Sequence, residues 1–164
     1  MKSKNIILGI DPGLNNTGWG VIEGLKMNEK HIENGLIKTH KNYQIGKRLN
    51  IIFDELNKIC AIYKPDVIAI EKIFVNKNPE SSLKLGQARG ISFLIAARQK
   101  IDIYEYTANQ IKKNVVGYGH ASKIQILKMI NRFFPKIDIV NEDAADALAV
   151  AICHAMNSNT KIKL

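Results

Sequence analysis

Cysteine is nearly absent from this 164-residue chain, which holds only Cys60 and Cys153, both among apolar neighbours in segments that read as helices. That excludes a disulfide scaffold, and both are expected as buried free thiols. Proline is scarce at 4 and glycine stands at 11, so collagen-like and low-complexity architectures are excluded as well. The longest apolar runs reach only about half the length of a membrane helix. The opening MKSKNIILGIDPG places lysines before an apolar run, but the run meets Asp11 too early for a secretory leader. A cytoplasmic protein is the expectation, with no membrane association. Acidic residues are the scarcer charge, 15 against 24 basic, and the net charge is +9. With 46% apolar residues the chain has the composition of a compact globular protein. One domain is expected over residues 1–157, followed by a short basic tail at 158–164.

Twenty of the 24 basic residues are lysines, in a chain also rich in Ile and Asn. A compositional bias of that kind raises net charge in any protein, so the charge is informative mainly where lysines gather near particular acids. Lys112, Lys113 and Lys123 gather in this way. The acids concerned are Asp11, Glu71, Asp143 and Asp146. Asp11 and Glu71 end the apolar runs IILGID and VIAIE, and Asp143 and Asp146 lie a helical turn apart in EDAADALAVAICHAM. A carboxylate at the end of a buried element is costly unless a cation or hydrogen bonds compensate it.

The hydrophobic pattern predicts strands over 5–11, 17–23 and 31–39, forming an antiparallel meander with turns at 14–16 and 24–28. An amphipathic helix follows over 43–63, stopped by Lys64-Pro65-Asp66. A strand over 67–73, a loop at 76–79, a helix over 81–99 and a short strand over 103–106 come next. Helices over 108–116 and 122–133 flank Gly117-Tyr118-Gly119-His120, with Ser122 as N-cap of the second. The last helix spans 142–156. This order implies an α/β fold: a mixed five-stranded sheet with helices on its faces.

Alternation puts Ile7, Gly9 and Asp11 on one face of the first strand, and Val67, Ala69 and Glu71 on the matching face of the fourth. A helical crossover joins these strands, so they are expected to be parallel, with both acids at their carboxyl ends, where open α/β sheets bind ligands. Gly9 and Ala69 leave room for a closely packed helix. The last helix, apolar nearly all round, suits that place and brings Asp143 and Asp146 as i, i+3 neighbours. Four carboxylates from three elements then suit hard divalent cations with oxygen ligands.

Taken singly, each acid has an ordinary reading: Asp11 as a turn residue, Glu71 as an exposed strand end, Asp143 as a first-turn acid favoured by the helix dipole. Asp146, deeper in an apolar helix, is harder to read that way, and the coincidence of all four favours a metal-dependent nuclease.

The segments GIDPGLNNTGWGVI (9–22), PDVIAIEKIFVNKNPESSLKLGQARG (65–90), QIKKNVVGYGHASKIQI (110–126) and DAADALAVAICH (143–154) carry a further signal. In that order they closely resemble the RuvC-type crossover (Holliday) junction endodeoxyribonucleases, members of the RNase H-like nuclease and integrase superfamily. The resemblance implies a three-layer α/β/α fold and paired symmetric nicks in four-way DNA junctions, leaving 5′-phosphate and 3′-hydroxyl ends, in recombination and repair. It implies that Asp11, Glu71, Asp143 and Asp146 are catalytic ligands of two Mg²⁺ ions, with Mn²⁺ as a possible substitute. Lys112 and Lys123 match basic residues that serve the DNA backbone and scissile phosphate, Lys123 in a catalytic role. Phe74 matches an aromatic that stacks on or wedges against junction bases. A homodimer is implied, working with a branch-migration motor complex. Lys113 and Arg89 are further candidates for DNA contact, Arg89 alternatively for a partner subunit, since the flanking Gly86 and Gly90 suggest close backbone approach. Two departures stand out: Ala108 where proline is expected, and Lys72 where glutamine is usual. Neither removes a catalytic group, and His120 reads best as part of a flexible glycine-rich loop. The competing readings are an actin-like or sugar-kinase ATPase, for which the chain is too short, a non-catalytic binder of branched DNA, and a related RNA-processing nuclease.

Overall fold

The computed structural model describes residues 5–24, 28–73 and 78–157. Along the chain these form β1 (Ile6–Asp11), β2 (Asn16–Glu23), β3 (Lys30–Lys38), α1 (Ile45–Tyr63), β4 (Val67–Glu71), α2 (Pro79–Gln99), β5 (Asp102–Tyr106), α3 (Ala108–Val116), α4 (Lys123–Phe133) and α5 (Glu142–Asn157). One five-stranded sheet runs in the order β3-β2-β1-β4-β5. The meander β1–β2–β3 is antiparallel, whereas β4 pairs parallel with both β1 and β5. The mixed sheet is as expected, and β1 and β4 are neighbours, with Gly9 opposite Ala69.

Strand alternation divides the core in two. Leu8, Ile10, Val21 and Ile68 face one side, where they meet Ile52, Leu56 and Ile59 of α1 and Ala88, Ile95 and Ala96 of α2. Ile7, Ile22 and Ala69 face the other side, against α5, which is covered in turn by Ile111 and Val115 of α3 and Ile126 and Ile130 of α4. This is the three-layer α/β/α, RNase H-like arrangement. Residues 144–155 of α5 are buried apart from half-buried Asp146, as its all-round apolar sequence requires. Among the described residues no helix is long and apolar enough to cross a membrane.

Close packing of α5 depends on missing side chains. A Cβ on Gly9 would stand 2.0 Å from the carbonyl oxygen of Ala147, and one on Gly18 would stand 2.0 Å from that of Asp143. Both lie far inside van der Waals contact, so α5 sits on bare backbone of β1 and β2. The start of β1 is fixed from the other end of the crossover: its Ile6 amide donates to Asp66 Oδ2 at 2.8 Å, and the Asp66 amide donates back to Ile6 O at 2.9 Å.

Some boundaries differ from the sequence expectation. Strand β4 stops at Glu71, two residues early. Helix α2 starts at Pro79, inside the expected loop, because Asn78 caps it, accepting from the Ser81 amide at 3.2 Å. Proline suits the first helical position, where no amide donor is needed. The departure at Ala108 has a local explanation. Thr107 and Gln110 form a full capping box, which fixes the first turn of α3 without a proline. Ser122 and Gln125 do the same for α4, as expected of Ser122. Both cysteines are buried free thiols. The tail 158–164 lies outside the described residues.

Candidate active site

Asp11 and Glu71 end adjacent parallel strands, so both carboxylates lie at the same edge of the sheet. Behind Asp11 the turn is closed by buried Thr17, whose Oγ1 donates to Gly13 O at 2.7 Å and accepts from the Gly13 amide at 3.3 Å. Behind Glu71 the Lys72 amide donates to Tyr106 O at 2.7 Å, holding the strand end to β5. The first turns of α5 come down on this edge and supply Asp143 and Asp146.

Asn141, just before α5, does two things. Its Oδ1 accepts from the Ala144 amide at 2.9 Å, capping the helix, and its Nδ2 donates to Asp143 Oδ2 at 2.9 Å. The chain leading to it is clamped by buried Asn34 of β3, which donates to Asp138 O at 2.9 Å and accepts from the Val140 amide at 3.0 Å. Asp143 is therefore placed by a series of hydrogen bonds that begins on the far strand of the meander. Further along α5, His154 Nδ1 and Tyr106 Oη lie 2.8 Å apart in the interior, tying the helix to β5.

The acids act on one another. Burial, then Asp146, Glu71 and Asp143, push the Asp11 carboxyl up from 3.8 to about 7, against the opposing pull of Lys123. Glu71 is raised by burial and by Asp146, with Lys112 and Lys123 opposing. Asp146 is also raised, chiefly by burial, although Lys123 Nζ lies 3.3 Å from its Oδ2. Lys123 is held above its ordinary range, mainly by Asp146. Asp146 thus makes ionisation of Asp11 and Glu71 harder, Glu71 and Asp143 do the same to Asp11, and a bound cation would relieve that repulsion. Among the described residues no three such side chains stand close enough to grip one ion as they are. The donor set still fits a hard divalent cation, because every ligand atom is a carboxylate oxygen and the acids already share one electrostatic field.

Two open cavities flank Glu71. One, of about 460 Å³, is lined by Asp11, Pro12, Glu71, Lys72 and the first turns of α2. The other, of about 210 Å³, is lined by Glu71, Lys112, Lys123 and Asp146. The profile of the family "Crossover junction endodeoxyribonuclease RuvC" matches residues 7–154. The chain belongs to this family. Its relatives include the RuvC crossover junction endodeoxyribonucleases of Rhizobium etli, 45% identical over 96% of this chain and 93% of that one, and of a Wolbachia from Drosophila simulans, 47% identical over 91% and 93%. Among solved structures, T. thermophilus RuvC in complex with a Holliday junction substrate superposes with a TM-score of 0.88 at 26% identity, covering 94% of each chain. A yeast mitochondrial Holliday junction resolvase shares the fold, with a TM-score of 0.63 at 13% identity over 91% of this chain and 78% of that one.

Set against the RuvC resemblance, the structure brings Asp11, Glu71, Asp143, Asp146, Lys112 and Lys123 to one place. Lys113 is exposed one position further along α3 and lines neither cavity. The Arg89 guanidinium pairs with Glu105 of β5 and lies 4.7 Å from the centre of the Phe93 ring, so it is engaged inside the chain. Its long side chain reaches back to the sheet edge. Gly86 and Gly90 have open space beside them, with no close backbone approach inside the chain. Phe74 lies outside the described residues. His120 is exposed in the bend between α3 and α4. Asn141 and Asn34 were missed, and only the helix-cap position of Asn141 could have suggested it.

Proposed function

We propose that the protein is a structure-specific endonuclease that resolves four-way DNA junctions by paired symmetric nicks, in recombination and repair in the cytoplasm. The observation that carries this reading is the convergence of Asp11, Glu71, Asp143 and Asp146 from three elements on one sheet edge, with Lys123 on Asp146. Asp11, Glu71, Asp143 and Asp146 would hold the divalent ions through their carboxylate oxygens. Two Mg²⁺ ions, or Mn²⁺ in their place, would supply the positive charge that acidifies the attacking water and stabilises the leaving 3′ oxygen. Lys123, exposed beside Asp146, turns to the scissile phosphate as negative charge builds on it. Lys112 neutralises the adjoining backbone, Lys113 lies on the same basic helix, and Phe74 follows closely enough after Glu71 to meet junction bases. The products carry 5′-phosphate and 3′-hydroxyl ends.

Paired nicks call for two active sites, and a homodimer supplies them. A stripe on α2 suits that contact: Leu83 and Leu94 are 65% and 47% exposed, and Gly86 and Gly90 lie between them on the same helical face with open space above. In the cell such a dimer would work with a branch-migration motor complex.

The test incubates wild type and Asp11→Asn with synthetic four-way junctions, linear duplex and structured RNA, with and without Mg²⁺. Wild type should place paired nicks near the crossover only with the ion, and Asp11→Asn should bind junctions without cutting. Equal cutting of linear duplex or RNA would sink the junction reading, and cutting by Asp11→Asn would sink the assignment of the acids.

A further inference from the structure

The cavity at the catalytic edge continues beyond it. Ser81 and Leu85 of α2, which line it, also line a neighbouring depression of about 400 Å³. Leu14 and Asn15 in the β1–β2 turn border that depression, together with Lys41, Arg48 and Lys84. A trough therefore runs from Asp11 and Glu71, along the first turns of α2, to the connection between β3 and α1.

The charge changes sign along it. The inner end holds carboxylates that already repel one another, while the outer end presents exposed Lys41 and Lys84. Lys84 Nζ lies 2.6 Å from Glu80 Oε1, both exposed, a pair worth little in water and readily exchanged for a phosphate. The lysine-bearing wall is held in place from within. Buried Arg48 donates from Nε to Thr39 Oγ1 at 2.9 Å and also pairs with Asn15 Oδ1, and the Thr39 amide donates to Asn15 O at 2.9 Å. These bonds lock the β3–α1 connection to the β1–β2 turn that carries Asp11. Two residues after Lys41, Tyr43 is 42% exposed and belongs to neither core. His40 packs beside it at 5.6 Å between ring centres, and Lys47 Nζ lies 3.8 Å above its ring.

We infer that this trough carries a DNA arm away from the catalytic centre, with Lys41 and Lys84 taking backbone phosphates and Tyr43, flanked by Lys47, taking a nucleotide. The inference rests on the endonuclease reading for the point where the strand starts. A polyanion leaving a cluster of acids needs cations along its path, and their contacts release condensed counterions. An exposed aromatic ring beside a cation is a sequence-tolerant platform for a base or sugar.

The test measures junction binding by the full chain across a range of salt, without divalent ion so that nothing is cut. Lys41→Ala/Lys84→Ala should lower the slope of log affinity against log salt by about 1 for each lysine. Tyr43→Ala should weaken binding roughly tenfold and leave the slope alone. Lys30→Ala/Lys58→Ala removes the same charge at positions that line neither cavity and should bind as wild type. At saturating enzyme with Mg²⁺, Lys30→Ala/Lys58→Ala should cut at the wild-type rate. An unchanged slope in Lys41→Ala/Lys84→Ala, or an equal loss in Lys30→Ala/Lys58→Ala, would overturn the trough. Asp11→Asn keeps the two readings apart: if it cuts junctions the catalytic assignment falls, while the salt slopes still report on the trough.

Discussion

On the α1–α2 side of the sheet, Leu8, Ile10 and Ile68 interdigitate with Ile52, Leu56 and Ile95, all fully buried aliphatic side chains. On the α5 side, Gly9 and Gly18 leave bare backbone, and the helix laid on it brings Asp143 and Asp146, whose charges raise the pKa of Asp11. The first face supplies stability through buried apolar area and holds none of the four acids. The second gives up side-chain volume so that a helix can approach closely enough to bring Asp143 and Asp146 beside Asp11. A conventional core on one face thus supports an electrostatically crowded polar edge on the other.

Neutralising Asp11 should break this contrast most sharply. Asp11→Asn is expected to lower cleavage by at least roughly 10²–10³-fold while stabilising the ion-free protein. The sign follows from the carboxyl being held at about 7 in the fold against an ordinary 3.8. Between those values the folded state binds the extra proton, so ion-free stability falls as pH rises from about 4 to about 7 and stays low above that. Thermal melts at pH 8 without divalent ion should show a gain of roughly 1–3 kcal/mol for Asp11→Asn, and none near pH 4. On the other face Leu56→Ala should lose about 2–5 kcal/mol in denaturant melts, with cleavage per folded molecule unchanged. Gly9→Ala should lose about 1–3 kcal/mol, and cleavage per folded molecule should fall with it, because the new Cβ drives α5 off the sheet. A Gly9→Ala variant that is destabilised but fully active would break the link between close packing and the site. The smallest effect expected is from Asn141→Ser. Serine still caps α5 but cannot donate to Asp143, so melting should be unchanged while half-maximal cleavage needs about tenfold more Mg²⁺.

The expected fold was legible because apolar periodicity and the short turns are local signals. Asp11 and Glu71 could be placed on one edge because a helical crossover makes β1 and β4 parallel, and α5 could be placed over them because alanine-rich helices pack closely. The rest depended on contacts between residues far apart in the chain. Nothing near Asn34 indicates that its side chain holds the segment before α5, more than 100 residues later. Arg48 looks like an ordinary helix-surface cation in sequence, yet it is 8% exposed and locks two turns together. Arg89 drew attention through its glycine neighbours, but its partner Glu105 lies on a strand with no sequence link to it. Lys41 and Lys84 stand in different elements, and only the folded chain brings them to one trough.

The central claim is that these acids form one site poised for a cation. Calorimetry of Mg²⁺ binding to the free protein, in buffers of different ionisation enthalpy, tests it most directly. With Asp11 near pKa 7, binding at pH 7 should release about half a proton from that residue, falling toward zero at pH 9 and in Asp11→Asn. Binding with no proton release at pH 7, or an unchanged release in Asp11→Asn, would contradict it.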